Sequence, residues 1–106
     1  MSQQLWIRMA NLIFELEKKL GDNDSPGVKR NIQRMKDLLD EAGILLMNPM
    51  GEPYQETRTD LEANIASTAA RGGLFVLDVI KPVLYAQQEQ GRALLQKGVV
   101  IVGTKS

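Results

Sequence analysis

The sequence predicts an α+β protein, and three observations carry that expectation. Apolar residues recur at helical spacing from Leu5 to Leu20 and again from Val28 to Ala42. After Gly43 the period changes to short β-type runs separated by Pro and Gly turns. With 106 residues, 43% of them apolar, the chain has material for one compact domain, or for a helical element and a small β element that share a core.

The first element is an amphipathic helix with a wide apolar face. Leu5, Met9, Leu12 and Leu16 form one row, and Trp6, Ile13 and Leu20 form a second beside it. Gly21 follows the last apolar residue, where a positive-φ cap is expected, and Lys18 and Lys19 suit the negative end of the helix dipole. Asp22-Asn23-Asp24-Ser25-Pro26 then supplies a polar turn. Asp24 or Ser25 serves as the next N-cap, and Pro26 sits near the first helical position, where a missing N–H costs nothing.

The second helix carries a narrower stripe, Val28, Ile32, Met35, Leu39 and Ala42 with Leu38 alongside, and Gly43 ends it. Its bases, Lys29, Arg30, Arg34 and Lys36, come early and its acids, Asp37, Asp40 and Glu41, come late, against the dipole. A solvated face or an acidic contact surface would each account for that layout. The short connection makes the helices antiparallel neighbours. Two facing helices cannot bury both rows of the first, and each Leu- or Ile-sized side chain left in water forgoes roughly 1.5–3 kcal/mol. Either the β half covers the second row, or a second copy does so in a two-fold four-helix bundle; the bundle is the favoured expectation. Its dimer interface would comprise Leu5, Trp6, Met9, Leu12, Ile13, Leu16, Leu20, Val28, Ile32, Met35 and Leu39.

The β half begins with Ile44 to Met47, a short apolar strand. Asn48-Pro49-Met50-Gly51 matches a type I turn, and Pro53 keeps the chain extended beyond it. The stretch Thr59 to Ala66 reads equally as helical turn or strand, and Ser67 to Gly73 reads as a small-residue loop. Leu74 to Ile80 and Val99 to Val102 are the clearest strands. Val83 to Gln96 has helical propensity. If Leu74–Tyr85 instead pairs with Arg92–Val102, the polar Gln87 to Gly91 stretch is the hairpin loop. The expected division is thus a helical hairpin for dimerisation over 1–43 and a small antiparallel β domain for partner docking over 44–106.

Composition narrows the chemistry. Thirteen basic and thirteen acidic residues cancel, so no net field draws the chain to nucleic acid or an anionic membrane. The sequence has no cysteine and no histidine, which removes thiolate sites, disulfides and the commonest general base and metal ligand. No metal site or cofactor is expected. Asp60 and Glu62 are paired carboxylates, but nothing near them marks a substrate pocket, so an enzyme is not expected. The first residues lack a charged region followed by an apolar core, and no apolar run approaches membrane-spanning length. Cytoplasmic location is the expectation.

Several segments, in order, resemble the GrpE family of nucleotide exchange factors. Leu12 to Leu20 is similar to the family's first bundle helix, and Met35 to Ile44 to its second, with Leu38-Leu39-Asp40 and then Gly43-Ile44 entering the β domain. Asn48-Pro49-Met50-Gly51-Glu52-Pro53-Tyr54 resembles the family's Asp-Pro-x-Gly-Glu-Pro-Phe motif. Val76 to Pro82, Gly91-Arg92 and Val99 to Gly103 resemble its closing strands. Leu61-Glu62-Ala63-Asn64 stands where the family carries His-Glu-Ala-Val, and Lys97-Gly98 departs from its usual approach to the last strand. The long helical stalk typical of the family has no counterpart in these 106 residues. The resemblance implies a homodimeric co-chaperone whose β domain favours the open, nucleotide-releasing form of a DnaK-type chaperone ATPase. It also implies that Ile80 and Arg92 touch that partner, the one by apolar area and the other by a charged fork. A divergent dimerisation module whose β domain docks a different protein is the alternative.

Overall fold

A computed structural model describes residues 2–21, 25–66 and 73–104. Asp24 and most of the expected loop from Ser67 to Gly73 lie outside them. The chain is α+β, in the order α1 (Gln3–Leu20), α2 (Pro26–Glu41), β1 (Ile44–Met47), β2 (Pro53–Tyr54), β3 (Leu61–Ile65), β4 (Leu74–Lys81), β5 (Val83–Gln88), β6 (Gly91–Gln96) and β7 (Gly98–Gly103). It divides into two compact units. One comprises Met1–Leu46 with Leu84–Leu95, and the other Met47–Val83 with Gln96–Ser106.

The first unit contains the helical hairpin. Ser2 caps α1, its hydroxyl accepting from the Leu5 N–H at 3.3 Å, and Gly21 ends the helix with φ 52°, its N–H donating to the Glu17 carbonyl. Ser25 stands at the N-cap of α2 with Pro26 in the first turn, but its side chain makes no capping hydrogen bond. A Lys36–Glu17 bridge of 3.1 Å joins the helices. Ala10, Ile13, Ile32, Leu39, Ile44 and Leu84 form the core of this unit. Ile44 belongs to β1 and Leu84 to β5, which pairs with β1 and β6 in a three-stranded sheet. The Gln87 N–H donates to the Gly43 carbonyl at 2.7 Å, where Gly43 has a φ of 81°. The division at residue 43 therefore does not describe the packing: β1 and the β5–β6 hairpin build one core with the helices.

The second unit is a four-stranded sheet in the order β2-β4-β7-β3. β4 runs antiparallel to β2 and β7, whereas β3 runs parallel to β7, with Leu61 opposite Gly98 and Ile65 opposite Val102. The expectation of an antiparallel β domain is corrected here to a mixed sheet. The reason is topological, because β3 reaches β7 through the intervening strands instead of through a tight turn. The expected long hairpin also divides. Leu74–Lys81 pairs with Gly98–Gly103 in this sheet, while Val83–Gln88 and Gly91–Gln96 form the hairpin of the other, turning at Glu89-Gln90. Propensity would have made Val83 to Gln96 a helix, but Gly91, with φ 99°, and the strand partners decide otherwise.

Close packing accounts for Gly98. A Cβ there would lie 2.8 Å from Val83 Cγ2 and 2.9 Å from Leu61 Cδ2, both on buried side chains. The turn after β1 is shifted by one residue from the expected type I turn. Its closing bond runs from the Glu52 N–H to the Pro49 carbonyl, which puts Gly51, with φ 80°, at the third position, as in a type II turn. Asn48 Oδ1 accepts from the Met50 N–H at 3.1 Å.

Candidate interaction surfaces

The most distinctive surface is an apolar groove on the helical hairpin. Trp6, Met9, Leu12, Ile13 and Leu16 of α1 face Met35, Leu38 and Leu39 of α2 around a space of about 230 Å³. Buried Ile13 and Leu39 form its floor. Leu12 and Leu38 stand at its rims, 60% and 61% exposed. Leu5, Met9, Leu16 and Val28 are also exposed, whereas Trp6, Leu20 and Met35 are half-buried. Isolated exposed leucines are ordinary, but contiguous ones lining one groove mark an interaction surface.

The expected interface thus separates into two groups. Ile13, Ile32 and Leu39 are the unit's own core, because Ile44 and Leu84 cover the Trp6–Ile13–Leu20 side of α1. All three are buried within the single chain, and Ile13 and Leu39 also form the floor of the groove. The other row remains bare, so the strands cover one row of α1 and leave the other open. Leu38 was missing from the expected interface although its exposure exceeds that of every expected member. The signal was present in its position one residue before the Leu39 seam, on the outward side of the helix.

The second surface lies on β4. Val76 pairs with Val102 and Asp78 with Ile101, then Val79 with Val100 and Lys81 with Val99. The register skips Leu77 and then Ile80, so the strand is irregular at two points three residues apart. Inward residues consequently recur every third position, as Val76, Val79 and Pro82, all buried, while Leu77 and Ile80 are exposed. A regular strand would alternate every second residue. Leu77 lies over Gly103, with its Cδ1 2.7 Å from where a Cβ would stand. Ile80 is 48% exposed and is not sheet core.

Arg92 belongs to the first unit and Ile80 to the second. The Arg92 guanidinium carbon sits 4.1 Å from the centre of the Tyr85 ring, a cation–π pair on an exposed hairpin. Asp60 and Glu62 do not form a carboxylate pair. Asp60 instead receives Arg58 Nε at 3.0 Å and Nη2 at 2.8 Å, a two-pronged ion pair. Arg58 Nη1 also meets Glu52 at 3.1 Å and donates to the Pro53 carbonyl. Hydrogen bonding to Asp60 raises the Arg58 pKa against the opposing effect of burial, so this charge is a structural clip. Among the described residues no group of carboxylates is arranged to hold a metal ion. No described helix is long and apolar enough to cross a membrane.

The comparisons with known proteins returned nothing: no family model, no curated protein and no solved structure matches the chain.

Proposed function

We propose that this chain is a dimeric docking protein of the GrpE-like kind. Hairpins from two copies pack as a four-helix bundle, and the β strands engage a DnaK-type chaperone ATPase to promote nucleotide release. The observation that carries this reading is the bare leucine-lined groove on a hairpin whose other side is already covered by its own strands. A groove of this kind is what one half of a bundle presents before its mate is added. The skipped residues of β4 add support, because they hold Ile80, the position the family resemblance assigns to the partner, out of the sheet core. An exchange factor acts by binding the open form of its ATPase better than the closed form, and an exposed apolar contact on a firmly paired strand suits that task.

Release of labelled ADP from a DnaK-type ATPase tests the reading. Faster release at saturating protein supports it, and unchanged release discards it. The alternative, a dimerisation module whose β strands dock a different protein, draws on Arg92, which is stacked on Tyr85 within its own unit. Under that alternative the dimer persists while ADP release is unaffected.

A further inference from the structure

The two helices carry octets that agree at four of eight positions. Arg8-Met9-Ala10-Asn11-Leu12-Ile13-Phe14-Glu15 in α1 is matched by Arg34-Met35-Lys36-Asp37-Leu38-Leu39-Asp40-Glu41 in α2, with Arg, Met, Leu and Glu in the same places and Ile13 replaced by Leu39. Three apolar pairs play equivalent parts, whereas buried Ala10 and Phe14 correspond to Lys36 and exposed Asp40. Met9 and Met35 line the groove, Leu12 and Leu38 form its equally exposed rims, and Ile13 and Leu39 form its buried floor. Six of the eight groove residues come from the octets. Because the helices are antiparallel, the repeat gives the groove an approximate two-fold symmetry of its own.

At helical spacing, each octet's Arg and Glu fall on the same side of its exposed leucine, one on the turn before it and the other on the turn after. Arg8, Glu15, Arg34 and Glu41 are all exposed, and none joins an ion pair within the chain among the described residues. Two such octets laid antiparallel, leucine beside leucine, bring each Arg next to the other's Glu. α2 also has bases in its first turns and acids in its last, an order that its own dipole disfavours. A facing antiparallel helix with the same octet offsets that cost. Among the described residues only Lys36 of these bases meets an acid, Glu17 on α1, and the remainder of the disfavoured order points to a contact outside the hairpin.

We propose that the repeated octet is the element by which a second copy of this chain recognises the groove, with Leu12 and Leu38 interdigitating and Arg8 and Arg34 meeting Glu15 and Glu41 across the interface. The occupant is a second copy because the groove is pseudo-symmetric, almost wholly apolar, and edged by charges that complement themselves when reversed in direction, as an isologous contact requires. This rests on the dimeric reading above and adds the residues that set its register.

Charge reversal tests it, with mass measured by sedimentation and helicity by circular dichroism to confirm folding. Glu15→Arg with Glu41→Arg turns attraction into repulsion at each contact and should weaken association roughly tenfold or more. Adding Arg8→Glu and Arg34→Glu to the same chain should restore it, since the exchanged octet is again self-complementary. A folded double variant that dimerises as tightly as the parent, or a folded fourfold variant that stays dissociated, overturns the octet's role while leaving the dimer standing. A monomeric parent chain removes the dimeric reading itself, and the octet proposal with it.

Discussion

The two compact units arrange their apolar residues differently. In the β unit Leu61, Val76, Val79, Val83, Val100 and Val102 are buried, while Ile65 on β3 and Leu77 and Ile80 on β4 are exposed, the last two where the register is skipped. In the helical unit, a buried core of six residues lies directly beneath a groove rimmed by exposed leucines. A sheet can hide one face and solvate the other by alternation alone. A helix whose apolar face spans two rows needs a neighbour for each, and in α1 the row of Leu5, Met9, Leu12 and Leu16 stays exposed among the described residues. The difference is one of grouping: exposed Met9, Leu12, Leu16 and Leu38 of the helical unit line a single groove, which is the surface proposed above to receive a second copy.

Core truncation should give the largest effect and should be similar in both units. Leu39→Ala, at the floor of the groove, is expected to cost about 2–5 kcal/mol in a urea titration. A much smaller loss would mean that the groove floor is not part of a packed core. Next in size is Gly98→Ala, which drives a methyl group into Val83 and Leu61. The expected loss is about 1–3 kcal/mol, because both neighbours are buried and have little room to shift. Unchanged stability would show that β3 and β7 pack more loosely than described.

Arg58→Ala separates the units further, since its clip on Asp60 and Glu52 belongs to the β unit alone. About 1 kcal/mol is expected from removing a two-pronged, partly buried ion pair. The Arg58 pKa is raised, so this contribution is complete below the ordinary arginine range and is lost only as pH climbs through the still higher folded value. Stability measured at mildly acidic and mildly alkaline pH should therefore show the same difference between parent and variant. A small effect on the isolated chain should come from Leu12→Ser with Leu38→Ser, no more than about 1 kcal/mol at high dilution because both side chains are mostly exposed and the loss is chiefly of helix propensity. The same pair should abolish any rise of Tm with protein concentration, the signature of folding coupled to association.

Much of this was legible in the residues. The helix limits follow from Gly21, Pro26 and Gly43, and the strands β1, β4 and β7 from their branched runs, because local chemistry dictates these features. Long-range pairing was not legible. The parallel β3–β7 contact and the division of the long hairpin between two sheets depend on partners distant in sequence, which propensity does not encode. For the same reason the expected interface mixed interior with surface. Ile13 and Leu12 are adjacent and similarly apolar, and only the arrival of Ile44 and Leu84 distinguishes them. The every-third-residue burial on β4 was not legible either, because Leu77 and Ile80 are as apolar as Val76 and Val79, and only the register shows which are skipped.

The mass of the parent chain in solution tests the central claim most directly. Sedimentation equilibrium should yield a species of twice the 11.8 kDa chain mass, converting to single chains when Leu12 and Leu38 are made polar. A folded single chain at every concentration reached would contradict it.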